Sequence, residues 1–326
     1  MEQKDCYDVL NDILIDILDE PYLGDNNTHE LAYYCSASTA YSVIDHEEIW
    51  MRKTTCMNDY KEFEFGLLKL DMWFREKDTE ITKCLSKLNI GLNAKDLHIY
   101  IKGKLRVIQN QTYIACLTKH PKEEDELGRL SMWRAYGRNS GTAIVFNKDN
   151  MRSIFCLKSG NYLILLPVKY LSPKDNYNNL FNKLIEQMEE NMDGLKGIDC
   201  STFIENFLLF CLVIIATVKH KGFEEEAEMR YIYCCINHSD VDEEYDKDDE
   251  DDKCCLTKCV ENINGIPQII YKLSYVMDDN NPLSKIIIGP NEFPDVINDA
   301  FVDLLKRKGI NNPENYIQET SIPLRV

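Results

Sequence analysis

The stretch "LSMWRAYGRNSGTAIVF", residues 130–146, joins an aromatic cluster directly to an apolar strand pattern. Trp133, Arg134 and Tyr136 stand close together and are followed by a run of small residues. Residues 142–146 then read Thr-Ala-Ile-Val-Phe, a β-branched and apolar pattern that is typical of a buried strand. The stretch therefore predicts a helical turn that leads into a core strand of a β-sheet.

Strand and helix patterns continue on both sides of this stretch without a regular alternation. Strands are predicted over residues 31–38, 49–54, 112–119, 141–146, 162–171, 228–236, 267–275 and 283–290. Helices are predicted over residues 5–20, 38–48, 80–110 and 293–308, after the turn at Asn58 and Asp59, and in a long insert over 175–219. Because there is no regular β-α repeat, the pattern favours an α+β fold, with a mixed or antiparallel β-sheet core, flanking helices and a helical insertion.

The sequence contains no internal repeat and no Pro- or Ser-rich linker. We therefore predict a single α+β domain over residues 1–326. Within it, residues 1–29 form an N-terminal helix and linker, residues 175–219 form the helical insert, and residues 240–252 form an acidic loop.

Half of the net charge of −18 comes from one segment. Residues 240–252 contain ten acidic residues and one lysine, a composition typical of a solvated loop. We predict that this loop contacts a basic protein partner. A Ca²⁺ site is a weaker alternative, because the glycine and the ligand spacing of an EF-hand are missing. The remainder of the chain is also acidic, which argues against broad binding of duplex nucleic acid.

The longest apolar run, Phe203–Val218, is shorter than the roughly 18 residues that a membrane span needs, and it contains Glu205 and Asn206. We interpret it as a buried helix. The first residues show no basic segment followed by an apolar one, as a signal peptide would. The sequence thus predicts no membrane association and a cytoplasmic location.

Thirteen cysteines are present, and in the cytoplasm we expect them to be reduced thiols. Their spacing does not match a zinc ribbon, so that zinc is a minor alternative and no metal ligand is assigned. The candidate zinc ligands are Cys234, Cys235, Cys254, Cys255, Cys259 and His238.

Two segments place polar residues where either structure or chemistry explains them. Tyr34 and Ser36 lie on one face of the first predicted strand, and Ser38 or Thr39 is the predicted N-cap of the helix that follows. In "MNDYKEFEF", Glu62 has the position of a capping-box glutamate. A metal site that used Asp59, Glu62 and Glu64 would need further ligands.

A third segment, "HKGFEEEAEMRYIY" at 220–233, places several acidic residues just before a predicted strand. Glu228 is nearest to the strand, so we expect it to point inward, with Arg230 on the same strand face. Arg134 has two interpretations: it packs at the core edge and neutralises an acid such as Glu228, or it binds an anionic group while an aromatic ring stacks on a base.

Several motifs in a fixed order resemble a bacterial family known as domain of unknown function 2971. They are "LAYYCSAS", "MNDYKEFEFG", "IACLTK", "SMWRAYGRNSGTAIVF", "VKHKGFEEEAEMRYIY" and "IIIGP". The resemblance covers about residues 30–326. By its name this family implies no activity.

A looser resemblance, to ADP-ribosyltransferases, does imply an activity. In those enzymes a first strand with Tyr and Ser or Thr binds the nicotinamide riboside of NAD⁺, and a glutamate before a late strand is catalytic. The resemblance assigns the catalytic role to Glu228 and NAD⁺ binding to further residues. These are Tyr34, Ser36, Trp133, Arg134, Tyr136 and Arg230, with Arg134 on the pyrophosphate. Tyr33 stands where the resembled enzymes have a basic residue, and no glycine-rich dinucleotide motif or P-loop is present.

Three hypotheses follow for the function. The first is an NAD-dependent ADP-ribosyltransferase-like protein, as a toxin or phage-defence effector. The second is a non-catalytic sensor that binds a nucleotide or a protein. The third is a metal-dependent nuclease that uses Asp59, Glu62, Glu226 and Glu228.

Overall fold

A computed structural model gives the fold for most of the chain. It describes residues 9, 12–13, 30–56, 61–137, 140–151, 154–156, 162–173, 178–234, 256–263, 265–275 and 281–323. Several predicted features lie outside these residues: the acidic loop 240–252, the turn at Asn58 and Asp59, most of 1–29, and Cys235, His238, Cys254 and Cys255. The predictions made for them stay predictions.

The strands form one large sheet and one small ladder. Their bounds are β1 Glu30–Ser36, β2 Glu48–Lys53, β3 Thr112–Lys119, β4 Ser140–Asn147, β5 Ile154–Cys156, β6 Tyr162–Pro167, β7 Lys169–Leu171, β8 Val218–His220, β9 Glu228–Cys234, β10 Leu256–Ile263, β11 Ile266–Ser274, β12 Leu283–Asn291 and β13 Ile317–Glu319. In the large sheet every described pairing is antiparallel except that of β12 with β13.

The sheet branches at β3. One edge of β3 pairs along its whole length with β9, which continues to β6 and β5. The other edge is shared, because β2 pairs with the beginning of β3 and β1 with its end. From there the order runs through β2 to β11 and β10 on one side, and through β1 to β4, β12 and β13 on the other. The first residue of β9, Glu228, is thereby placed opposite Thr118, near the end of β3.

Helices cover both faces of this sheet. Their bounds are α1 Ala37–His46, α2 Lys61–Glu76, α3 Asp78–Leu88, α4 Ala94–Ile108, α5 Asn178–Glu190, α6 Met192–Leu195, α7 Cys200–Ala216 and α8 Pro294–Arg307. A core that includes residues of α2, α3, α4, α5 and α7 packs on Ile114, Ile164, Ile232 and Cys234. The opposite core contains residues of α1 and α8 with Tyr113, Leu163, Tyr231 and Tyr233.

Alternation along β9 decides which side chains meet the helical layer. All seven residues of β9 are buried, because both faces of the strand are covered. Met229, Tyr231 and Tyr233 belong to one core, so the even-numbered residues face the other way, towards the layer that contains α2 and α7. Glu228 and Arg230 therefore enter the helical side of the sheet.

The observed elements confirm the α+β class with its mostly antiparallel sheet, and they correct several details. The predicted strand 162–171 is two strands, because β7 leaves the sheet and pairs in parallel with β8. The helical stretch 80–110 is interrupted between α3 and α4, and the helices of the predicted insert end at Ala216. The sequence prediction missed β5, β8, β10 and β13, which are short or, in β10, largely exposed.

Within the described ranges, no helix has the length and apolar character that a membrane crossing requires. The apolar helix α7 is instead buried along nearly its whole length in the helical layer. The cytoplasmic location stays a prediction.

Candidate functional site

Five charged side chains from three parts of the chain meet on the helical side of β9, and we call them the charge cluster. Glu62 comes from the first turn of α2, and Lys219 comes from β8. Glu226 ends the 3-10 turn Lys221–Glu226, while Glu228 and Arg230 belong to β9. Glu228 and Arg230 are 4% and 2% exposed, so a full set of ionic partners is needed to hold them there.

Arg230 is the centre of the inner half of the cluster. Its Nε donates to Glu228 Oε1 at 2.8 Å, and its Nη2 donates to Glu228 Oε2 at 2.9 Å, which makes a bidentate pair. Nη2 also donates to Glu62 Oε2. Nη1 donates to the carbonyl oxygen of Ala216 at 2.7 Å, at the last residue of α7. The guanidinium thus also meets the negative end of a helix dipole.

Lys219 is the centre of the outer half. Its ammonium nitrogen lies 2.9 Å from Glu62 Oε1, 2.8 Å from Glu226 Oε2 and 3.2 Å from Glu228 Oε2. Burial opposes the charge of Lys219, but the carboxylates of Glu228 and Glu62 outweigh it and raise its pKa above the ordinary value. Lys219 is therefore a permanent cation that joins three carboxylates.

The carboxylates that share this ammonium are shifted in opposite directions. Burial acts to raise the pKa of Glu228, but the adjacent Arg230 guanidinium outweighs it and holds the pKa at about 2. Burial likewise acts on Glu226, and there it prevails over the ammonium of Lys219, so the pKa of Glu226 is raised. When the pKa values of two neighbouring acids are shifted apart in this way, the acid with the lowered pKa stays ionised and the acid with the raised pKa is the better proton acceptor.

The backbone between these two glutamates is strained. Ala227 has φ +42°, in the left-handed region that residues other than glycine rarely occupy. Its N–H donates to the Glu224 carbonyl oxygen at 3.2 Å, which closes the 3-10 turn immediately before β9 begins. Strain of this kind is concentrated at functional sites, where surrounding contacts hold it in place.

Aromatic side chains surround the cluster. The hydroxyl of Tyr170 accepts the backbone N–H of Glu228 at 2.8 Å. The ring of Phe223, 40% exposed, lies 4.9 Å from the ammonium of Lys219. Burial and the nearby carboxylate of Glu226 raise the pKa of Tyr136. Tyr136 thereby connects the opening stretch of the sequence with the outer half of the cluster.

One cysteine, Cys116, lies beside the charge cluster. Cys116 is the register partner of Arg230 across β3 and β9. Burial and the charge of Glu228 raise its pKa well above the ordinary value, so the group stays a thiol. Because the thiolate is the reactive form, Cys116 is not activated as a nucleophile.

The opening stretch itself forms a different environment, which we call the tryptophan corner: Tyr34, Trp133 and the glycines Gly128, Gly141 and Gly289. Trp133 is 5% exposed, and its ring meets that of Tyr34 edge to face, with 4.7 Å between centroids. Its Nε1 donates to the Leu127 carbonyl oxygen at 2.8 Å.

The glycines of the tryptophan corner provide the space for the indole. A Cβ on Gly289 would lie 2.8 Å from Cε3 of Trp133, and one on Gly128 would lie 2.4 Å from its Cζ2. Both distances are far below van der Waals contact, so a side chain at either position would displace the ring. The packing of Trp133 thus explains why glycine occupies these positions around the aromatic motif.

The predicted cofactor-binding residues are distributed over several environments. The hydroxyl of Tyr34 accepts the N–H of Arg129 at 2.8 Å, and burial raises its pKa to about 12. The hydroxyl of Ser36 accepts the Thr39 N–H at 3.2 Å and caps α1. Arg134 is exposed. The structure brings Arg230 and Tyr136 to Glu228, whereas Tyr34 and Trp133 lie in the tryptophan corner; their roles towards NAD⁺ stay predictions.

Sequence reasoning did not find Lys219, although this residue contacts every carboxylate of the cluster. Glu62 and Glu226 were predicted as site residues only in the nuclease hypothesis. A signal was present, since Val218 and Lys219 directly follow an apolar helix and precede the acidic turn. For a metal ion, this site is unfavourable: each carboxylate already contacts a cation, and a divalent ion would be repelled by Lys219 and Arg230.

Residues 132–231 match the model of a family described as protein of unknown function, DUF2971. The match begins in the helical turn before β4 and ends in β9, so it includes Trp133, Lys219, Glu228 and Arg230 but not Glu62. It is narrower than the 30–326 expected from the motifs. Searches among curated proteins and among solved structures found no match to the chain.

Proposed function

We propose that this chain is an ADP-ribosyltransferase-like enzyme that breaks the glycosidic bond between nicotinamide and ribose in NAD⁺. One observation carries the proposal: Glu226 and Glu228 bond to the same ammonium, yet the pKa of one is raised and that of the other is lowered. Glycosyl transfer uses two such carboxyl groups in different roles.

Glu228 supplies the permanent negative charge in this proposal. As nicotinamide departs with the bonding electron pair, positive charge develops on the ribose C1′ and its ring oxygen. An ionised carboxylate that is fixed before the reaction stabilises this charge without reorganisation. With a pKa of about 2, Glu228 is ionised throughout the physiological range, and Arg230 fixes its orientation.

Glu226 supplies the proton acceptor. A nucleophile, either water or a hydroxyl, amine or carboxyl group of a target, forms the new bond to C1′, and its proton passes to the Glu226 carboxylate. A base of raised pKa is suited to this step, because a raised pKa makes the carboxylate a stronger proton acceptor. Nicotinamide leaves as a neutral base, so the ribosyl transfer itself needs no further acid.

The residues fit NAD⁺ better on the glutamate side than on the first strand. Phe223 offers an exposed ring beside Lys219, and exposed Arg134 is available to an anionic pyrophosphate. Tyr34 and Ser36 already accept backbone N–H groups, so a contact with the nicotinamide riboside would have to use their remaining hydrogen-bonding capacity. We place the reacting end of NAD⁺ at Glu226 and Glu228.

The same proposal includes the extent of the family relation and the biological role of the chain. The family relation extends beyond residues 132–231, towards the whole of 30–326, because motifs that resemble the family lie on both sides of the matched segment. The biological role is that of a toxin or phage-defence effector, for which depletion of NAD⁺ or modification of a target is an effective mode of action.

Proton NMR of the purified protein with NAD⁺, with and without cell lysate, tests the proposal through the release of nicotinamide. We expect release by the wild type, loss of release in Glu228→Gln, and strong reduction in Glu226→Gln. Glu224→Gln is the matched control, since this exposed glutamate lies in the same turn. Circular dichroism confirms that each variant is folded.

Two outcomes would overturn the proposal. If the wild type releases no nicotinamide under either condition, the chain is not an NAD⁺-cleaving enzyme, and broadened NAD⁺ lines would then indicate a binding protein. If Glu228→Gln releases nicotinamide as fast as the wild type, the charge cluster is not the catalytic site.

A further inference from the structure

A second group of acidic residues surrounds a buried histidine at the end of β3, beside the first residue of β1. His120 directly follows β3, and it is 2% exposed. Its backbone N–H donates to the Glu30 carbonyl oxygen at 3.0 Å, at the first residue of β1. Its Nε2 lies 3.1 Å from Asp125 Oδ1, and its Nδ1 lies 3.8 Å from Glu124 Oε2. Ligand atoms of Glu30, His120 and Asp125 all lie within 4.8 Å of one another.

Two atoms of this group are buried without a hydrogen-bond partner among the residues that the structure describes: His120 Nδ1 and Glu124 Oε2. They face each other across the 3.8 Å gap. When Nε2 carries the proton and donates to Asp125, Nδ1 is a bare lone pair opposite an oxygen that can only accept. Buried acceptors without a hydrogen bond are energetically unfavourable. A positively charged species at this group, either a proton or a cation, would remove that cost.

We propose that Glu30, His120 and Asp125 bind a divalent metal ion, with His120 Nε2 and one carboxylate oxygen from each acid as ligands. A metal on Nε2 moves the imidazole proton to Nδ1, which then donates to Glu124 Oε2. The two unpartnered atoms thereby become partners of each other. Histidine ligands commonly donate their second N–H to a carboxylate in this way, which fixes the ring and strengthens the ligand.

The ligand types, and the separation between His120 Nε2 and Asp125 Oδ1, suit a first-row transition metal. The 3.1 Å between Nε2 and Asp125 Oδ1 is the separation of two neighbouring ligands that each lie about 2.1 Å from one ion. One imidazole with two carboxylates is a donor set for Mn²⁺, Fe²⁺ or Zn²⁺.

The outer atoms of both acids are already held. The hydroxyl of Ser284 donates to Glu30 Oε1, and Lys285 Nζ lies 2.7 Å from Asp125 Oδ2. On the histidine side, Arg129 Nε donates to Glu124 Oε1 at 2.8 Å. These contacts orient the ligands, although the positive charges of Lys285 and Arg129 reduce the affinity for a cation.

A second proton on His120 is the competing explanation. An imidazolium would donate from Nε2 to Asp125 and from Nδ1 to Glu124, and it would satisfy the same two atoms without a metal. The two explanations differ in one measurable respect: only the metal site brings the histidine nitrogen into direct coordination with an ion.

Binding of Mn²⁺ alone, followed by electron paramagnetic resonance, separates them. The titration counts bound Mn²⁺, and pulsed measurements detect ¹⁴N coupling from a coordinated imidazole, which the carboxylates of the acidic run 240–252 cannot produce; His238→Gln, a change two residues before that run, should keep the coupling. We expect ¹⁴N coupling in the wild type and its loss in His120→Gln. The exposed His46 provides the matched control, since His46→Gln should keep the coupling.

Two further variants keep the test decisive if His120→Gln fails to fold. Glu30→Gln should weaken the nitrogen-coupled site at least tenfold through loss of a ligand. Glu124→Gln should weaken it by about 10–100-fold, the usual effect of altering a group that supports a ligand. If the wild-type protein binds Mn²⁺ without ¹⁴N coupling, or binds none, the proposal is overturned. A second proton on His120, between Nδ1 and Glu124 Oε2, would then explain the arrangement. The result is independent of NAD⁺ cleavage.

Discussion

The charge cluster and the tryptophan corner are both buried, and their side chains are stabilised there by opposite means. In the tryptophan corner the indole makes one described hydrogen bond, to Leu127, and otherwise packs against a tyrosine ring and glycines. In the charge cluster, Glu228 and Arg230 are just as enclosed, but each is held by several ion pairs. Apolar burial stabilises a fold directly, whereas buried charges must first offset their lost hydration.

Because of this difference, the tryptophan corner contributes packing, and the charge cluster contributes titratable groups. The stability of the tryptophan corner depends on its packing, because it contains no charged residue. The charge cluster contains three carboxylates against two cations, and the imbalance is expressed as opposite pKa shifts of Glu226 and Glu228. The conspicuous aromatic motif is thus part of the packing, while the less conspicuous acidic turn provides the chemistry in the function that we propose.

Loss of one cation from the charge cluster should have the largest effect on stability. Arg230→Met leaves Glu228 and Glu62 buried with a single cation, so we expect the free energy of unfolding to fall by about 3–5 kcal/mol. Urea unfolding at pH 7 measures it. Arg134→Met, on an exposed arginine, should stay within about 0.5 kcal/mol. Equal effects of the two substitutions would contradict the ionic description of the cluster.

The charge cluster should also make stability depend on acid. The folded pKa of Glu228 is about 2, below the ordinary 4.5, because Arg230 overcomes the opposing effect of burial. Glu228 therefore contributes its full stability above about pH 4.5 and loses it as the pH falls towards 2, by about 3 kcal/mol in total. Glu226 acts in the opposite sense, since its raised pKa favours folding of the protonated form.

Urea titrations between pH 2 and 7 follow this acid dependence. Glu228→Gln should flatten the part below pH 4.5, whereas Trp133→Phe in the tryptophan corner should shift the whole curve without changing its slope. An unchanged slope in Glu228→Gln would assign the acid dependence to other groups.

Overfilling should affect the tryptophan corner less than the loss of a buried charge affects the cluster. A Cβ at Gly289 would lie 2.8 Å from Trp133 Cε3 and 3.0 Å from the Gly141 carbonyl oxygen. We expect Gly289→Ala to lower the free energy of unfolding by about 1–3 kcal/mol. Gly103, in α4 with open space around it, is the control: Gly103→Ala should raise stability by about 1 kcal/mol. A neutral result at Gly289 would show that the corner is loosely packed.

The smallest effect concerns Ser36, which is predicted to contact NAD⁺ and is observed as the cap of α1. Ser36→Ala should cost about 1 kcal/mol, while Ser36→Asp, also a good cap, should restore stability. If Ser36 also contacts the nicotinamide riboside, both substitutions should raise the KM for NAD⁺. An unchanged KM in both variants would confine the residue to capping.

The sequence predicted the central strands well because their patterns are strong. β3, β4, β9 and β12 are apolar or β-branched over most of their length, as strands covered on both faces are. The missed strand β10 alternates between exposed and half-buried residues at the sheet edge, and the polar positions obscure it. Strands as short as β7 and β8 have too few residues for any period to emerge.

The candidate site was predictable only as far as local geometry reaches. Alternation in one strand was sufficient to place Glu228 and Arg230 on a common face. Glu62 is separated from Arg230 by 168 positions, and only the packing of α2 on the sheet brings them together. Lys219 depends on a parallel pairing between β7 and β8 that no sequence pattern indicates.

That small parallel ladder also has a consequence for the order of folding. β7 and β8 pair from Lys169 with Val218 to Leu171 with His220, so the chain between them leaves the sheet and returns to the same point. Closing such a loop has an entropic cost that must be met before the pairing can form. Lys219 lies on the returning strand, 7 and 9 positions before Glu226 and Glu228, so local chain structure can bring it to these two carboxylates. Glu62 is distant in sequence and joins them only through long-range packing, so an incompletely folded chain can hold part of the charge cluster without the whole of it.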